Sequence, residues 1–461
     1  MDLSIISSDL AVAVSANPRF SSCLVLYRNA NSDLLSICKE SSADFFSRIF
    51  SSEGPFWKIY SETGTGHFPS SSEYLSFIAG RMYFCMNMEK KCLSLGGGKE
   101  LSFENGRISE KNPPAAENLL LKITSPINIL SDSLQLSLLP LFIREKLGDF
   151  SNFRKAAVQF HHEHSGAITD YAGTAAKAMD GAVASMEYSF ASSLAASFKV
   201  RMPDSDAWKS CEAEQLSGML SEGLEDEAAS QFGFYSPEPY DLSAVRFHEN
   251  PKSILPPPFP RDPYARWREN SKFLCMRYLG ILRGAYLGAA GAAGMGNEIF
   301  HLRLPELPLA IEDPSKMKSL AKERLLQYEK NSLLQLPNTL IHFAGKWQEE
   351  IAPPELSGTP AGAALDAEAE VVFINTQKYY PKKTAGKIIL SRTFSPSLAS
   401  LLPNSKGIIS ETGGVLSHTA IIARELSLPC IVQLRGSQLL KEGMRVKIDG
   451  KTGKIFIIAQ K

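Results

Sequence analysis

Apolar and polar positions along the chain follow two rhythms. Residues 175–198, "AAKAMDGAVASMEYSFASSLAASF", are small and apolar with few breakers, which predicts a largely buried helix. The helical pattern extends over residues 117–224 and resumes at Tyr264–Gly291 and Pro314–Asn331. "PPPFP" at residues 256–260 cannot be helical and predicts a loop or joint. The first ~110 residues mix short apolar runs with Ser- and Gly-rich breaks, and Gly80–Met88 reads as a strand. Asn297–Leu307 reads as a short strand leading to a turn, and Glu349–Glu370, rich in Pro, Gly and Ala, as a linker. Beyond it the rhythm changes. Runs at 370–374, 387–390, 406–410, 430–434 and 445–458 are short, apolar and β-like. The last predicts a hairpin around Asp449-Gly450-Lys451-Thr452-Gly453.

The fold class expected is therefore multidomain, α/β and α+β. A largely helical domain over 1–350, mixed at its start, precedes a compact α/β domain over 351–461. At 461 residues, two to four domains are expected. Lys+Arg and Asp+Glu both number 49, so net charge argues for neither nucleic acid nor an anionic membrane. The seven cysteines include no Cys-x-x-Cys pair, which fits free thiols in a reducing cytosol. The start has Asp2 and no basic segment before its apolar residues, so it reads as structure rather than a secretory signal. No run approaches ~18 apolar residues, so no membrane span is expected and a cytoplasmic location is.

The candidate chemistry lies in "ETGGVLSHTAIIARELSLPCIV", residues 411–432. A strand runs into Gly413-Gly414, a helix follows, and a second strand enters at Leu428-Pro429. A helix between the two strands permits a parallel pair. The glycines allow close approach. Ser417 is placed to cap the helix, with His418 as its first residue. Free N–H groups and the positive end of the helix dipole favour an anion there and disfavour imidazolium, leaving His418 neutral and nucleophilic. Arg424, six residues on, need not share its face. The bland alternative is a solvated histidine at a helix start.

Gly413, Gly414, Ser417, His418, Ala423, Arg424, Glu425 and Pro429, in that order, closely resemble the phosphohistidine signature of the phosphoenolpyruvate-utilising enzymes. The resemblance implies a swivelling β/β/α domain whose histidine is phosphorylated at one site and carries the group to another. Gly413, Gly414, Ser417, Thr419 and Arg424 would support the phosphoryl group. Gly80–Met88, Phe232–Pro251, Arg266–Arg283 and Asn297–Leu307 resemble blocks of the middle domain of rifampicin phosphotransferase-like proteins.

Those relatives begin with an ATP-grasp domain, and the room before Gly80 is too short for one. No Walker-type loop is visible either. The phosphoenolpyruvate-handling barrel of other members is also not expected here. The resemblance thus implies ATP and Mg2+ on a separate ATP-grasp protein, a small-molecule acceptor, and no identifiable cofactor or metal on this chain. Where relatives carry a His-Arg pair, this chain has Phe234-Tyr235. These residues, with Arg266, Arg268 and Glu269, are candidates to line an acceptor site; the alternatives are core for the pair and a solvated helix face for the charges. His161 and His164 could share a helix face, but chance clustering suits them better than a metal site. The function expected is a phosphotransferase component. The competing reading is a non-catalytic binding or regulatory protein that keeps the motif.

Overall fold

The computed structural model describes residues 7–17, 23–28, 37–63, 74–92, 100–104, 107–111, 139–251, 257, 260–334, 336, 339–349, 356–374, 384–391, 402, 404–411, 417–435 and 437–459. The chain divides into two compact units, with the main division between Glu350 and Ile351. No described helix is long and apolar enough to cross a membrane.

The first unit is mainly helical. Its centre is an antiparallel pair of long helices, Tyr171–Ser197 and Pro263–Ala293. Ala175, Ala178, Ala182, Ala191 and Ala195 are fully or almost fully buried, so the pair approaches closely. Two glycines set the spacing. A Cβ on Gly181 would stand 2.3 Å from the Tyr278 ring, and one on Gly288 would stand 2.3 Å from the Tyr171 ring. The 263–293 helix starts on Asp262, whose carboxylate accepts the N–H groups of Tyr264 and Ala265. It ends at Gly294 with φ +61°, a conformation glycine adopts without steric cost.

This helix is buried on several faces and carries charges inward. Asn270 accepts the N–H of Glu212 at 3.0 Å and donates to the carbonyls of Ala207 and Ser210 at 2.7 and 2.5 Å. Arg283 grips the Glu249 carboxylate with two bonds of 2.8 and 3.0 Å and donates to the Leu242 carbonyl. Beside the helices lies an antiparallel sheet in the order β2-β3-β1-β6-β7. Its strands are β1 (Cys23–Tyr27), β2 (Leu75–Ile78), β3 (Arg81–Cys85), β6 (Thr339–Phe343) and β7 (Lys346–Glu349). A separate hairpin joins β4 (Glu100–Glu104) and β5 (Arg107–Lys111). Strand β1 pairs across more than three hundred residues with β6, Val25 opposite Ile341. Buried Arg81 donates to the carbonyls of Asn331 and Leu334, joining β3 to the end of the Pro314–Leu333 helix.

The second unit is a closed barrel in the order β10-β11-β12-β8-β14-β13-β9. The strands are β8 (Leu356–Pro360), β9 (Asp366–Ile374), β10 (Ile388–Ser391), β11 (Gly407–Ser410), β12 (Cys430–Arg435), β13 (Arg445–Asp449) and β14 (Lys454–Ala459). The pairs β9–β10, β10–β11 and β11–β12 are parallel; the other pairs are antiparallel. Ile388, Leu390, Ile409 and Ile431 pack in one core, and Ile389, Ile408, Cys430 and Val432 in another on the opposite face. Burial on both faces explains why these strands are continuous apolar runs rather than alternating ones.

Three segments differ from their expected form. Of Gly80–Met88 only Arg81–Cys85 is a strand; Met86 opens the helix Met86–Cys92, where the Asn87 side chain accepts the Val25 N–H and donates to the Cys23 carbonyl in place of a strand ladder. Residues 297–307 form two 3-10 turns, Asn297–His301 and Leu304–Glu306, instead of a strand. Their bonds are local, Ile299 N–H to the Gly296 carbonyl and Glu306 N–H to the Arg303 carbonyl, three residues back in each case. The 349–370 segment contains β8 and the start of β9 rather than a linker alone. Gly358 makes β8 possible: a Cβ there would lie 2.5 Å from the Val432 carbonyl oxygen.

These glycines generate a contrast. Gly181→Leu should lower the unfolding free energy by about 2–3 kcal/mol, because the overpacked pair must separate. Gly148→Ala, on a helix where a Cβ meets nothing within 4 Å, should raise it by about 0.5–1 kcal/mol. Denaturant unfolding of both variants measures the difference.

Candidate functional site

Strand β11 leads toward the helix His418–Glu425. Ser417 has extended backbone angles, φ −67° and ψ 156°, and its side-chain oxygen accepts the Ala420 N–H at 3.3 Å. That makes Ser417 the N-cap and His418 the first helical residue. The cap satisfies one of the first turn's N–H groups, and the backbone N–H groups of His418 and Thr419 precede it in the ring of helix-start donors. Thr419 and Ser417 are buried. The helix lies on the barrel's outer face through Ala420 and Ala423, both fully buried in the cluster with Ile389, Ile408 and Val432.

The far end is closed by a double clasp. The Leu428 N–H donates to Ala423 and the Ser427 N–H to Arg424. Ser427 is left-handed, φ +53°, a place more often given to glycine. Arg424 is exposed, and its Nη1 donates to the Ala361 carbonyl at 2.9 Å. It therefore ties the helix to the segment after β8. The neighbouring Cys430 thiol is pushed up to about 12 by burial, so it stays protonated at neutral pH. Gly413 and Gly414 lie outside the described residues, as does the side chain of His418.

The candidates in the helical unit are dispersed in role. Phe234 and Tyr235 are buried in an aromatic wall, each within about 6 Å of Phe273 between ring centroids. Arg266 is half-buried. Its Nε donates to the Trp208 carbonyl, and its Nη2 to the Lys209 carbonyl and the Glu214 carboxylate. It pins one helix to the turn beside it. Arg268 is half-buried and Glu269 is buried.

The three histidines of 161–164 part company. His164 stacks on Phe160 and its Nδ1 meets the Phe160 carbonyl. His161 turns instead toward the Phe234 ring, 5.4 Å between centroids. Burial, and then the Arg277 charge, push His161 down to about 4. Among the described residues no group of three or more His, Cys, Asp and Glu is placed to hold a metal ion. Sequence reading also missed Arg277 and Glu212. Their only signal was a charge on each of two apolar helix faces, which becomes meaningful once the helices are seen to pack.

Residues 383–453 match the family described as PEP-utilising enzyme, mobile domain. The uncharacterized phosphotransferase YvkC of Bacillus subtilis is 26% identical over 191 residues, which is 38% of this chain and 23% of that protein. Rifampicin phosphotransferase of a Streptomyces species is 25% identical over 212 residues, 42% of this chain and 24% of that protein. Rifampicin phosphotransferase of Bacillus cereus is 29% identical over 118 residues, 25% of this chain and 13% of that protein. The matched segments thus span a quarter or less of each relative's length.

Two outcomes follow from the geometry. Ser417→Ala should cost the second unit about 1 kcal/mol, read by chemical denaturation, through loss of the cap. His161 has a folded-state affinity for protons below its usual value near 6.5. Its contribution to stability is whole above that value and is lost as pH falls toward 4, because only the unfolded chain takes up the proton there. The loss should reach roughly 1–3 kcal/mol. In His161→Gln the stability of the helical unit should fall less steeply between pH 6.5 and 4, measured by urea titration at each pH.

Proposed function

We propose that this chain is a component of a phosphotransferase in which His418 carries the phosphoryl group. The observation that carries the reading is the Ser417-capped helix start, with His418 as the first helical residue, inside the segment matched to the mobile domain of PEP-utilising enzymes. The names of the relatives support phosphoryl transfer as the kind of chemistry. A helix N-terminus supplies N–H donors and a positive dipole end to a phosphoryl group held nearby.

The reaction divides into two displacements. In loading, an imidazole nitrogen of His418 bonds to phosphorus as the donor's P–O bond breaks, and that bond's electron pair leaves on the oxygen of the departing nucleotide. In transfer, an acceptor oxygen bonds to phosphorus, the P–N bond breaks, and its electron pair returns to the ring. The acceptor proton passes to a base. The donor is ATP with Mg2+, held by a separate ATP-grasp protein. The acceptor is a small molecule held by the helical unit, where Phe234, Tyr235, Arg266, Arg268 and Glu269 lie near its binding surface. The work is placed in the cytoplasm.

A second reading, a non-catalytic binding or regulatory protein, draws on Phe234 and Tyr235. Both are buried among aromatic rings, in the manner of core residues.

Labelled ATP, Mg2+ and a candidate ATP-grasp protein decide between them. The expected result is an acid-labile, alkali-stable label on the chain that disappears in His418→Ala and falls at least about tenfold in Ser417→Pro, where the cap geometry is lost. An unlabelled chain, or His418→Ala retaining the full label, would remove phosphohistidine carriage and leave the binding role.

A further inference from the structure

The helical unit holds a second cluster of chemistry-bearing side chains, contributed by four elements. His161 comes from the Leu139–His164 helix, Arg277 from Pro263–Ala293, Glu212 from the start of Glu212–Ser221, and Phe234 and His248 from the 233–249 segment. Phe234 is the hub. The Arg277 guanidinium lies over its ring at 4.2 Å from the centroid, and the His161 imidazole meets it at 71°. The Phe234 Cβ itself rests where Gly280 leaves room, 3.1 Å from the place a Cβ would take.

Charge in this cluster is unbalanced. Arg277 Nη2 donates to one oxygen of Glu212 at 2.8 Å. Arg154 Nη2 lies 3.0 Å from the other oxygen but without the angle of a hydrogen bond, so Glu212 Oε1 accepts none. Two guanidinium cations thus face one carboxylate. Arg277 Nε is buried and also has no hydrogen-bond partner, in a side chain with only 10% of its surface exposed. A buried donor left unmade is costly, and a ligand oxygen would satisfy it.

The imidazoles complete the set. His248 sets its Nδ1 2.7 Å from the Gly233 carbonyl, which accepts, so Nδ1 holds the proton. His248 is exposed and His161 half-buried, so the cluster reaches solvent. His161 is unprotonated at neutral pH under burial and the charge of Arg277, with His248 and His162 adding to the effect. An arriving anion would reverse that balance at His161.

We propose that Arg277 and His161, arranged on Phe234 and beside Glu212 and Arg154, bind an oxyanion with His248 at the site's exposed side: the carboxylate or phosphate group of the molecule that accepts the phosphoryl group. Identifying the ligand with the acceptor rests on the function proposed above; the anion site does not.

The experiment titrates the full chain at pH 7 with inorganic phosphate and, separately, with benzoate. The His161 imidazole C–H signal, assigned through His161→Gln, is followed by NMR. A saturable shift with either anion is expected. Phosphate alone would mark the recognised group as phosphate, and benzoate alone as carboxylate. The paired variant E212Q/R277Q removes both buried charges together and should weaken binding about ten- to a hundredfold. Arg277→Lys keeps the charge, loses the planar fork and Nε, and should weaken it also, which covers the case in which the pair fails to fold. Lys209→Gln, an exposed change outside the cluster, should bind as the parent does. No saturable shift, or affinity unchanged from the parent's in both Arg277→Lys and E212Q/R277Q, overturns the site. Labelling of His418 in the same variants keeps the two ideas apart. Normal labelling without anion binding removes only this site, and anion binding without labelling removes only the carrier role.

Discussion

The barrel's parallel strands are buried on both faces, and the placement of the candidate histidine descends from that constraint. Strand β10 sends Ile388 and Leu390 to one side and Ile389 to the other, and none of the three is more than marginally exposed. An outer face of Ile389, Ile408 and Val432 cannot be left in water, since each such side chain gains about 1.5–3 kcal/mol on burial. The crossover between β11 and β12 supplies the cover. Its helix presents Ala420 and Ala423, small enough to bring its axis close. A helix so held must begin near the end of β11, and its first residue is His418. The position of the candidate histidine is a by-product of closing the core.

The helical unit solves a different problem, that of charge in a packed interior. Arg277, Arg283 and Asn270 each leave the 263–293 helix toward a named partner, respectively Glu212, the Glu249 carboxylate and the turn at 207–212. A buried ion pair adds little net stability, but breaking one side costs several kcal/mol. The pairs therefore specify which turn packs where more than they strengthen the fold. The Arg277 pair also sits beside a half-buried imidazole, His161, on the same Phe234 ring.

Much of this was legible in the residues. The runs at 370–374, 387–390, 406–410 and 430–434 are strands because uninterrupted Val and Ile leave few alternatives in so short a span. Ser417 announced its cap because a hydroxyl before an apolar helical run has that use. Strand β8 was hidden because its Ser-Gly-Thr-Pro composition answers to a close neighbour on β12, a contact with no local trace. Residues 297–307 looked like a strand because their apolar spacing fits either form, and the deciding bonds reach back only three residues. His161 looked incidental beside His162 and His164. Its surroundings come from a turn and a helix more than seventy residues away.

The glycine–tyrosine contacts of the central helix pair have a mechanical consequence. Gly181 meets Tyr278 and Gly288 meets Tyr171, two notches ten residues apart on each helix. Both must mesh at once. A slide by one turn would lift both rings onto neighbouring side chains and force the backbones apart, so the pair behaves as a keyed joint rather than a bearing. Shear, one of the two ordinary ways that packed helices transmit motion, is thereby blocked along this axis. Whatever response the helical unit makes to a ligand has to come from its side chains and its shorter connecting segments.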